Sequence, residues 1–303
     1  MAASACGHAP RCPVATPSPA IEAAPSLAPP LAADRLAELR AARDAKVSDP
    51  AFAAAATDDV LVALTALDPA IRDGIGYELL SRWIVRDRVL EAPAVAAIRD
   101  RLVARLADPL APADGVFARS FAALGLSLVA AREAAQAAWT DAELAAQVDA
   151  AVGYAGRETD YRGYTGATGW AHAAAHTADW IKFLGRHPRL TSAQAVQLLD
   201  AIAGVVARRH GHRFSHGEDE RLAAAVLAIA RRGLVDDAAI DAWIGKVVAQ
   251  ILVGWPEPFD PVLFAAQRNA RDLIVSAFVA LSFDDAPPSA AVLARLRAAM
   301  RAT

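Results

Sequence analysis

The chain has little cysteine and few aromatic residues. Only two cysteines occur among 303 residues, Cys6 and Cys12, and both lie near the N-terminus. A framework of structural disulfides is therefore excluded, and residues 13–303 contain no thiol for a cysteine-based zinc site. Aromatic residues make up 6% of the chain and hydrophobic residues 55%. Much of that hydrophobic fraction is alanine, the best helix former, which favours helices.

An excess of basic residues and a long apolar run are also missing. Lys and Arg number 31 against 34 Asp and Glu, giving a net charge of -3. Non-specific binding of nucleic acid needs positive charge to neutralise phosphates, so we expect no nucleic-acid partner. No uninterrupted apolar run approaches the roughly 20 residues of a membrane-spanning helix, so we expect no membrane span.

Residues 1–30 differ from the rest of the chain. Residues 7–30 are rich in Pro, Ala and Ser, which predicts disorder. The sequence from Met1 to Cys6 resembles the end of a bacterial lipoprotein signal, although the charged start and the apolar core are missing. Two hypotheses stay open. Either Cys6 carries lipid and residues 7–30 tether a periplasmic domain to a membrane, or the protein is cytoplasmic and has an unstructured tail.

From residue 31 onward the pattern indicates helices, and no alternating Val, Ile and Thr runs predict a strand. Asp-Pro pairs at 49–50, 68–69, 108–109 and 260–261 are typical of helix starts. Thr140 and Thr191 each precede Glu or Gln by three residues, as in a capping box. The predicted helices cover residues 31–46, 51–66, 69–86, 91–106, 115–137, 140–154, 168–185, 191–209, 218–232, 236–250, 261–281 and 288–301.

Helices of this length predict an all-α protein, with one domain over residues 31–303. Two architectures fit: stacked antiparallel helical hairpins of the HEAT or armadillo type, forming an α-solenoid, or a closed α/α barrel. The longer segments between helices are 155–168, 209–217 and 251–260. Long connections of this kind often carry function in a compact helical array.

Two histidines in the centre of the chain are candidate metal ligands. His172 and His176 form an HxxxH pattern, which on a helix places both rings on one face. Two imidazoles so placed can hold a zinc-like divalent metal. Residues 173–175 are all Ala, so the Glu of the HExxH metalloprotease motif is missing. The alternative is that both histidines are buried hydrogen-bond partners that tie the preceding loop to the helix.

The loop before these histidines contains acids, glycines and aromatic residues. Glu158 and Asp160 are candidate catalytic acid and base groups or metal ligands. Alternatively, they pair with Arg157 and Arg162 to hold the loop in one shape. Thr168 or Gly169 is expected to cap the helix that follows. The aromatic residues suit a pocket that stacks against a sugar or a planar ligand, or else they anchor the loop in the core.

A second polar segment, residues 210–221, contains three more histidines and an acidic run. The acids at 218–220 suit the first turn of a helix, where they interact favourably with the helix dipole. If that helix lies beside the one that carries His176, Glu218 or Asp219 would complete a site with His172 and His176. Asp179 is expected either to be a third ligand or to orient His176. The candidate ligand-binding residues are Tyr161, Arg162, Tyr164, Trp170, Asp179, Glu218, Asp219 and Arg221.

Three motifs resemble a bacterial family known as domain of unknown function 2785. They are Asp160-x-Arg-Gly-Tyr164, Gly169-Trp-Ala-His-Ala-x-Ala-His-x-Ala-Asp179 and Glu218-Asp-Glu-Arg-Leu222. The resemblance spans residues 35–301 and has weaker echoes at 68–77 and near Asn269. It implies a helical fold and identifies the central motif as the family's signature. Because the family has no assigned activity, the resemblance supplies no catalytic residue.

Three hypotheses of function follow, and whether the protein is an enzyme stays open. The first is a binding protein whose central pocket takes a small polar or sugar-like ligand or a peptide. The second is a metal-dependent hydrolase or lyase, in which His172 and His176 bind the ion. The third is a structural role, in which the motif is a polar clasp between neighbouring helices. All three require the segments around His172 and Glu218 to meet in the fold.

Overall fold

The computed structural model describes residues 31–108 and 114–302. Within these ranges the secondary structure is helical apart from one isolated antiparallel bridge between Tyr164 and Trp170, so the predicted all-α class is confirmed. The N-terminal tail, the lipid hypothesis at Cys6 and the helix start predicted at 108–109 lie wholly or partly outside the described residues.

The helix bounds follow the predicted ones closely, with a single large difference at α8. The α-helices are α1 Ala33–Asp44, α2 Pro50–Ala63, α3 Pro69–Ile71, α4 Glu78–Ser81, α5 Ala92–Arg105, α6 Gly115–Gln136, α7 Asp141–Arg157, α8 Ala173–Gly185, α9 Ser192–Ala207, α10 Glu218–Ala230, α11 Asp237–Ile251, α12 Pro261–Ser282 and α13 Pro287–Ala302. Two π-helical segments, Arg72–Tyr77 and Arg82–Arg86, make residues 69–86 one continuous helical segment.

Side-chain caps explain why the bounds could be predicted. Asp49, Asp68 and Asp260 each accept a hydrogen bond from a backbone N–H of the first helical turn. Thr140 and Thr191 form the capping boxes expected at α7 and α9. These bonds satisfy N–H groups that have no partner within the helix.

The start of α8 was predicted wrongly. The helix begins at Ala173 rather than near 168, and neither Thr168 nor Gly169 caps it. His172 occupies the N-cap with φ 52° and ψ 32°, a left-handed conformation that is uncommon for residues other than glycine. Residues before it form a short hairpin, in which the N–H of Ala171 donates to the carbonyl of Gly163 at 3.0 Å. His172 therefore belongs to the loop and not to the helix.

The helices pack in two layers around a hydrophobic core that runs from Leu39 to Leu296. In the inner layer, residues 69–86 pack against α6, α6 against α8, α8 against α10, and α10 against α12. In the outer layer, α7 packs against α9, α9 against α11, and α11 against α13. Ion pairs between Asp58 and Arg101 and between Arg99 and Glu143 connect α2, α5 and α7 in the same layer.

The connections at the two ends of these layers differ in length. At one end, which we call the short-loop end, the chain passes from an inner to an outer helix through segments of four to six residues. Contacts between segments show that they lie together: the Trp139 and His187 rings stack at 5.7 Å, Arg232 donates to the carbonyl of Pro188 at 3.0 Å, and Arg231 pairs with Asp284.

At the opposite end, which we call the long-loop end, the chain passes from an outer to an inner helix. The connections here are residues 158–172, 208–217 and 252–260, with the shorter segment 64–68 beside them. Every inner helix begins at this end. Because long segments lie at one end only, the candidate functional residues are concentrated on one surface.

Within the described ranges, α6 alone has the length and hydropathy of a helix that could cross a membrane. The prediction from uninterrupted apolar runs overlooked it because Arg119 interrupts the run. Its most apolar stretch is 94% buried inside the protein. The composition of α6 is therefore that of a core helix.

Two glycines provide a test of how closely the layers pack. A Cβ at Gly76 would lie 2.9 Å from the backbone nitrogen of Leu64, whereas a Cβ at Gly204 would meet no atom within 4 Å. We expect Gly76→Ala to lower the free energy of unfolding by about 1–3 kcal/mol through overpacking. Gly204→Ala, the matched control, should raise it by about 0.5–1 kcal/mol. Urea denaturation measures both, and equal effects would contradict the packing.

Candidate functional site

A buried ion pair fixes the start of the segment 158–172. Arg119 of α6 binds the carboxylate of Glu158 through two hydrogen bonds, Nε to Oε2 at 2.8 Å and Nη2 to Oε1 at 3.1 Å. Both side chains are buried. Oε1 of Glu158 also accepts from the backbone N–H groups of Thr159 and Asp160, each at 2.9 Å. Both oxygens of this candidate base are therefore used to hold the chain.

The second acid of the loop is also paired. Asp160 accepts from Arg162, with Nη2 to Oδ2 at 2.7 Å and Nε to Oδ1 at 2.9 Å. This is one of the two pairs expected from the sequence. Glu158 differs from the expectation, because Arg157 donates to the carbonyl of Leu106 at 3.3 Å and leaves Glu158 to Arg119.

Arg72 holds the other end of the loop. Its buried guanidinium lies between the rings of Phe117 and Phe121, with its central carbon 4.6 Å from each ring centroid. Nη1 donates to the carbonyl of Ala66 at 3.1 Å, and Nη2 donates to the carbonyl of Thr168 at 2.9 Å. Burial lowers the pKa of Arg72 from its ordinary value. The cation thereby joins the segments 64–68 and 158–172.

The aromatic residues of the loop divide into anchors and exposed rings. Tyr161 is buried, its ring lies 4.6 Å from that of His210, and burial raises its pKa. Tyr164 and Trp170 instead remain 55% and 37% exposed, and their rings meet edge to face at 5.0 Å. They are also the residues joined by the isolated bridge. We call the exposed pair the aromatic platform.

His172 lies directly beneath the aromatic platform and meets the second polar segment there. Its ring stacks on Trp170 at 4.5 Å with an interplanar angle of 23°. Its Nε2 lies 3.3 Å from Oε1 of Glu218, which confirms the predicted meeting of the two segments. The pair is a close polar contact and not a well-aligned hydrogen bond, because Nε2 has no hydrogen-bond partner.

Glu218 is a buried carboxylate in the first turn of α10. Its Oε2 accepts from the backbone N–H groups of Ser215 and His216 at 3.1 and 2.8 Å. Burial by itself would raise the pKa of Glu218, but the contact with His172 and the N–H of His216 outweigh it, so that the pKa is lowered. Gly163 makes this approach feasible, since a Cβ there would lie 2.9 Å from Oε1 and would clash with His216.

His176 is held inside the core. Its Nδ1 lies 2.6 Å from Oγ of Ser120, and that hydroxyl donates to the carbonyl of Ala171. Nδ1 of His176 therefore carries the proton and donates to Ser120. Burial, and next the neighbouring His172, hold the pKa of His176 well below its usual value. The imidazole is a neutral hydrogen-bond partner that ties the loop to α8, as in the alternative derived from the sequence.

The relation between His172 and His176 differs from the predicted one. Their ring centroids are 5.9 Å apart and the rings are nearly perpendicular at 73°, because His172 precedes the helix. In the part of the chain that the structure describes, no group of three or more His, Cys, Asp and Glu side chains is placed to hold a metal ion. Metal binding by these histidines stays a prediction.

The remaining candidate acids also have protein partners. Asp179 accepts from Lys182 at 2.6 Å and from Arg221, and its carboxylate is thus held by these two cations. Asp219 accepts from the hydroxyl of Ser276 at 2.5 Å. These contacts connect α8 to α10 and α10 to α12, so three of the candidate ligand-binding residues join neighbouring inner helices.

Several residues that position the site were not singled out from the sequence. They include Arg72, Arg119 and Ser120, whereas Asn269 was named only as the place of a weaker resemblance to the family. Asn269 is buried, accepts from the N–H of Phe214 at 2.8 Å and donates to the carbonyl of His212 at 3.0 Å. The sequence contained one signal for them, because Arg119 and Ser120 lie within the apolar stretch of α6. A buried charge is rarely left unpaired, so such a residue indicates a partner elsewhere in the fold.

We expect Glu158→Gln to lower the free energy of unfolding by about 3–5 kcal/mol, because Arg119 would keep a buried charge without its counter-ion. The matched control is Asp58→Asn, which removes the exposed partner of Arg101 and should change stability by about 0–1 kcal/mol. Chemical denaturation gives both values. Equal and small effects would show that the buried pair does not hold the loop.

Comparison with known proteins identifies one family. No curated protein and no solved structure matches the chain. The model of one family, described as protein of unknown function (DUF2785), matches residues 109–276, more than half of the chain. The match contains Arg119 and Glu158, the hairpin, both histidines and Glu218. The chain therefore belongs to the DUF2785 family.

Proposed function

We propose that the long-loop end binds a small polar, sugar-like ligand, which stacks on the aromatic platform of Tyr164 and Trp170. The observation that carries the proposal is the exposure of these two rings, 55% and 37%, within a loop whose other large side chains are buried or paired. Aromatic rings that are apolar on their faces and polar at their tips are typical of such sites.

The charged groups around the platform favour binding over acid–base catalysis. Glu158 and Asp160 are held by Arg119 and Arg162, and Asp179 by Lys182 and Arg221. A carboxylate that accepts several hydrogen bonds within the protein is poorly suited to take a proton from a substrate. The charged side chains are thus occupied by contacts within the protein, whereas the rings of Tyr164 and Trp170 remain exposed.

The rigidity of the loop is a second argument. Arg72 holds the carbonyl of Thr168, and the N–H of His172 donates to the carbonyl of Arg162 at 2.9 Å. A platform that is ordered before the ligand arrives avoids the entropy cost of ordering it on binding. The imidazole of His216, partly exposed and edge-on to Trp170 at 5.4 Å, adds a polar group beside the rings.

We also propose that the two layers form an open α-solenoid of HEAT or armadillo type rather than a closed α/α barrel. The support is the order of packing, which follows the order of the chain from residues 69–86 through α6, α8 and α10 to α12. Packing between consecutive units is typical of stacked helical repeats.

A metal-dependent hydrolase or lyase is the alternative function. It is favoured by the 3.3 Å contact between His172 and Glu218. It is opposed by the lack, among the described residues, of a third His, Cys, Asp or Glu placed to hold an ion with them. We expect purified protein to contain no stoichiometric zinc, manganese or iron, and its melting temperature to be unchanged by a chelator. About one equivalent of metal, lost in a folded His172→Ala/His176→Ala variant, would replace our proposal by the alternative.

The binding proposal is tested with monosaccharides followed by saturation-transfer NMR and calorimetry. We expect Trp170→Ala to weaken binding by about two- to twelvefold, because an aromatic stacking contact contributes about 0.5–1.5 kcal/mol. Phe283→Ala is the matched control, since Phe283 is 84% exposed but lies at the short-loop end. Binding that is equally strong in Trp170→Ala and the parent protein would overturn the proposal.

A further inference from the structure

A second pair of exposed rings lies at the same end of the molecule. In residues 252–260, Trp255 is 68% exposed and Phe259 is 54% exposed. Their ring centroids are 6.0 Å apart, and each lies 5.7 Å from the ring of Phe264 in α12. Single exposed apolar residues are common, but exposed rings that contact one another are typical of an interaction site. We call Trp255 and Phe259 the second platform.

Contacts between segments connect the two platforms through residues 208–217. Trp170 of the first platform contacts His216. Asn269 of α12 holds the backbone of the same segment at His212, and Gln267 of α12 donates to the carbonyl of Val253 beside the second platform. The two pairs of rings therefore lie at the same end of the molecule, one before the start of α8 and one before the start of α12, and α10 packs between these helices.

The packing of the inner helices sets the separation. Neighbouring packed helices lie about 8–10 Å apart, so the starts of α8 and α12 are separated by roughly 16–20 Å. A monosaccharide cannot cover that distance, whereas an extended chain of several sugar units can. The arrangement thus favours an oligomeric ligand over a single sugar.

The segments 208–217 and 252–260 carry mostly uncharged or paired polar groups, and their exposed charges Arg209 and Glu257 are of opposite sign. His210 and His212 stack on one another at 5.9 Å and 22°, and burial, followed by the neighbouring His212, lowers the pKa of His210 to about 4. Arg213 pairs with Asp272 at 2.8 Å, and Arg208 donates to backbone carbonyls at the end of α7. An uncharged ligand with many hydroxyl groups fits such a surface better than a charged one does.

We propose that the long-loop end binds an extended, uncharged oligosaccharide, with one part stacked on Tyr164 and Trp170 and another on Trp255 and Phe259. The inference rests on the proposed function and deepens it by naming the size and class of the ligand. The imidazoles of His212 and His216, which are partly or fully exposed, face the middle of the ligand and bond to its hydroxyl groups. When one ligand molecule binds both platforms, its second contact is intramolecular, and the affinity of the whole ligand rises.

The test uses the full chain and two series of neutral sugars, cello-oligosaccharides and chito-oligosaccharides, each from monomer to hexamer. Isothermal calorimetry gives the affinity for each length. In at least one series we expect the hexamer to bind about tenfold or more tightly than the monomer. Trp255→Ala should remove this gain, so that the hexamer binds about as tightly as the monomer does. Trp255→Phe, which keeps a ring, should retain most of the gain, and Phe283→Ala should have no effect.

The outcomes separate the inference from the proposed function. If monomer and hexamer bind equally, and both need Trp170, the second platform plays no part and the inference is overturned while the proposed function stands. If no sugar of any length binds, the proposed function fails as well. Binding of an unstructured peptide or of neutral phosphatidylcholine vesicles that is lost in Trp255→Ala would contradict the class of ligand. Unchanged circular dichroism and melting of the variants exclude unfolding as the cause.

Discussion

The ion pair between Arg119 and Glu158 is the contact on which the long-loop end depends. Arg119 lies within the core helix α6, so its charge is acceptable only with a counter-ion held in place. Glu158 supplies that counter-ion at the residue after α7 ends, and the same carboxylate accepts two backbone N–H groups of the following loop. The need to neutralise one buried charge thereby fixes the direction in which the chain leaves the helix.

Arg72 and His176 hold the rest of the segment 158–172 in place. Arg72 holds the carbonyl of Thr168, and His176, through Ser120, is tied to the carbonyl of Ala171. The loop is thus attached to three inner helical units, at its start through Arg119 and near its end through Arg72 and His176. A loop held in this way keeps Tyr164 and Trp170 at the surface although their burial would be favourable. The proposed binding function is a consequence of that constraint.

The sequence predicted what depends on local signals. Helix starts at Asp68, Thr140 and Thr191 could be predicted because a side chain caps the backbone beside it in the chain. The start of α8 could not, since a left-handed His172 is imposed by the hairpin before it and by Glu218 from another helix. Arg119 and Glu158 lie 39 positions apart, so their pairing depends on how α6 packs and has no signature in either local sequence. From the sequence, the meeting of His172 and Glu218 could be stated only as a requirement of the proposed functions, because neither local sequence shows how their helices pack.

Hydrogen exchange of the backbone amides of Ala171 and His172 in the ligand-free protein tests the central claim most directly. Both amides donate within the hairpin, and a loop fixed by buried charges should open only when much of the core opens. The account predicts exchange nearly as slow as that of the amides in α6, and faster exchange in Glu158→Gln. Exchange as fast as in an unstructured peptide would show that the loop is not held before ligand binds.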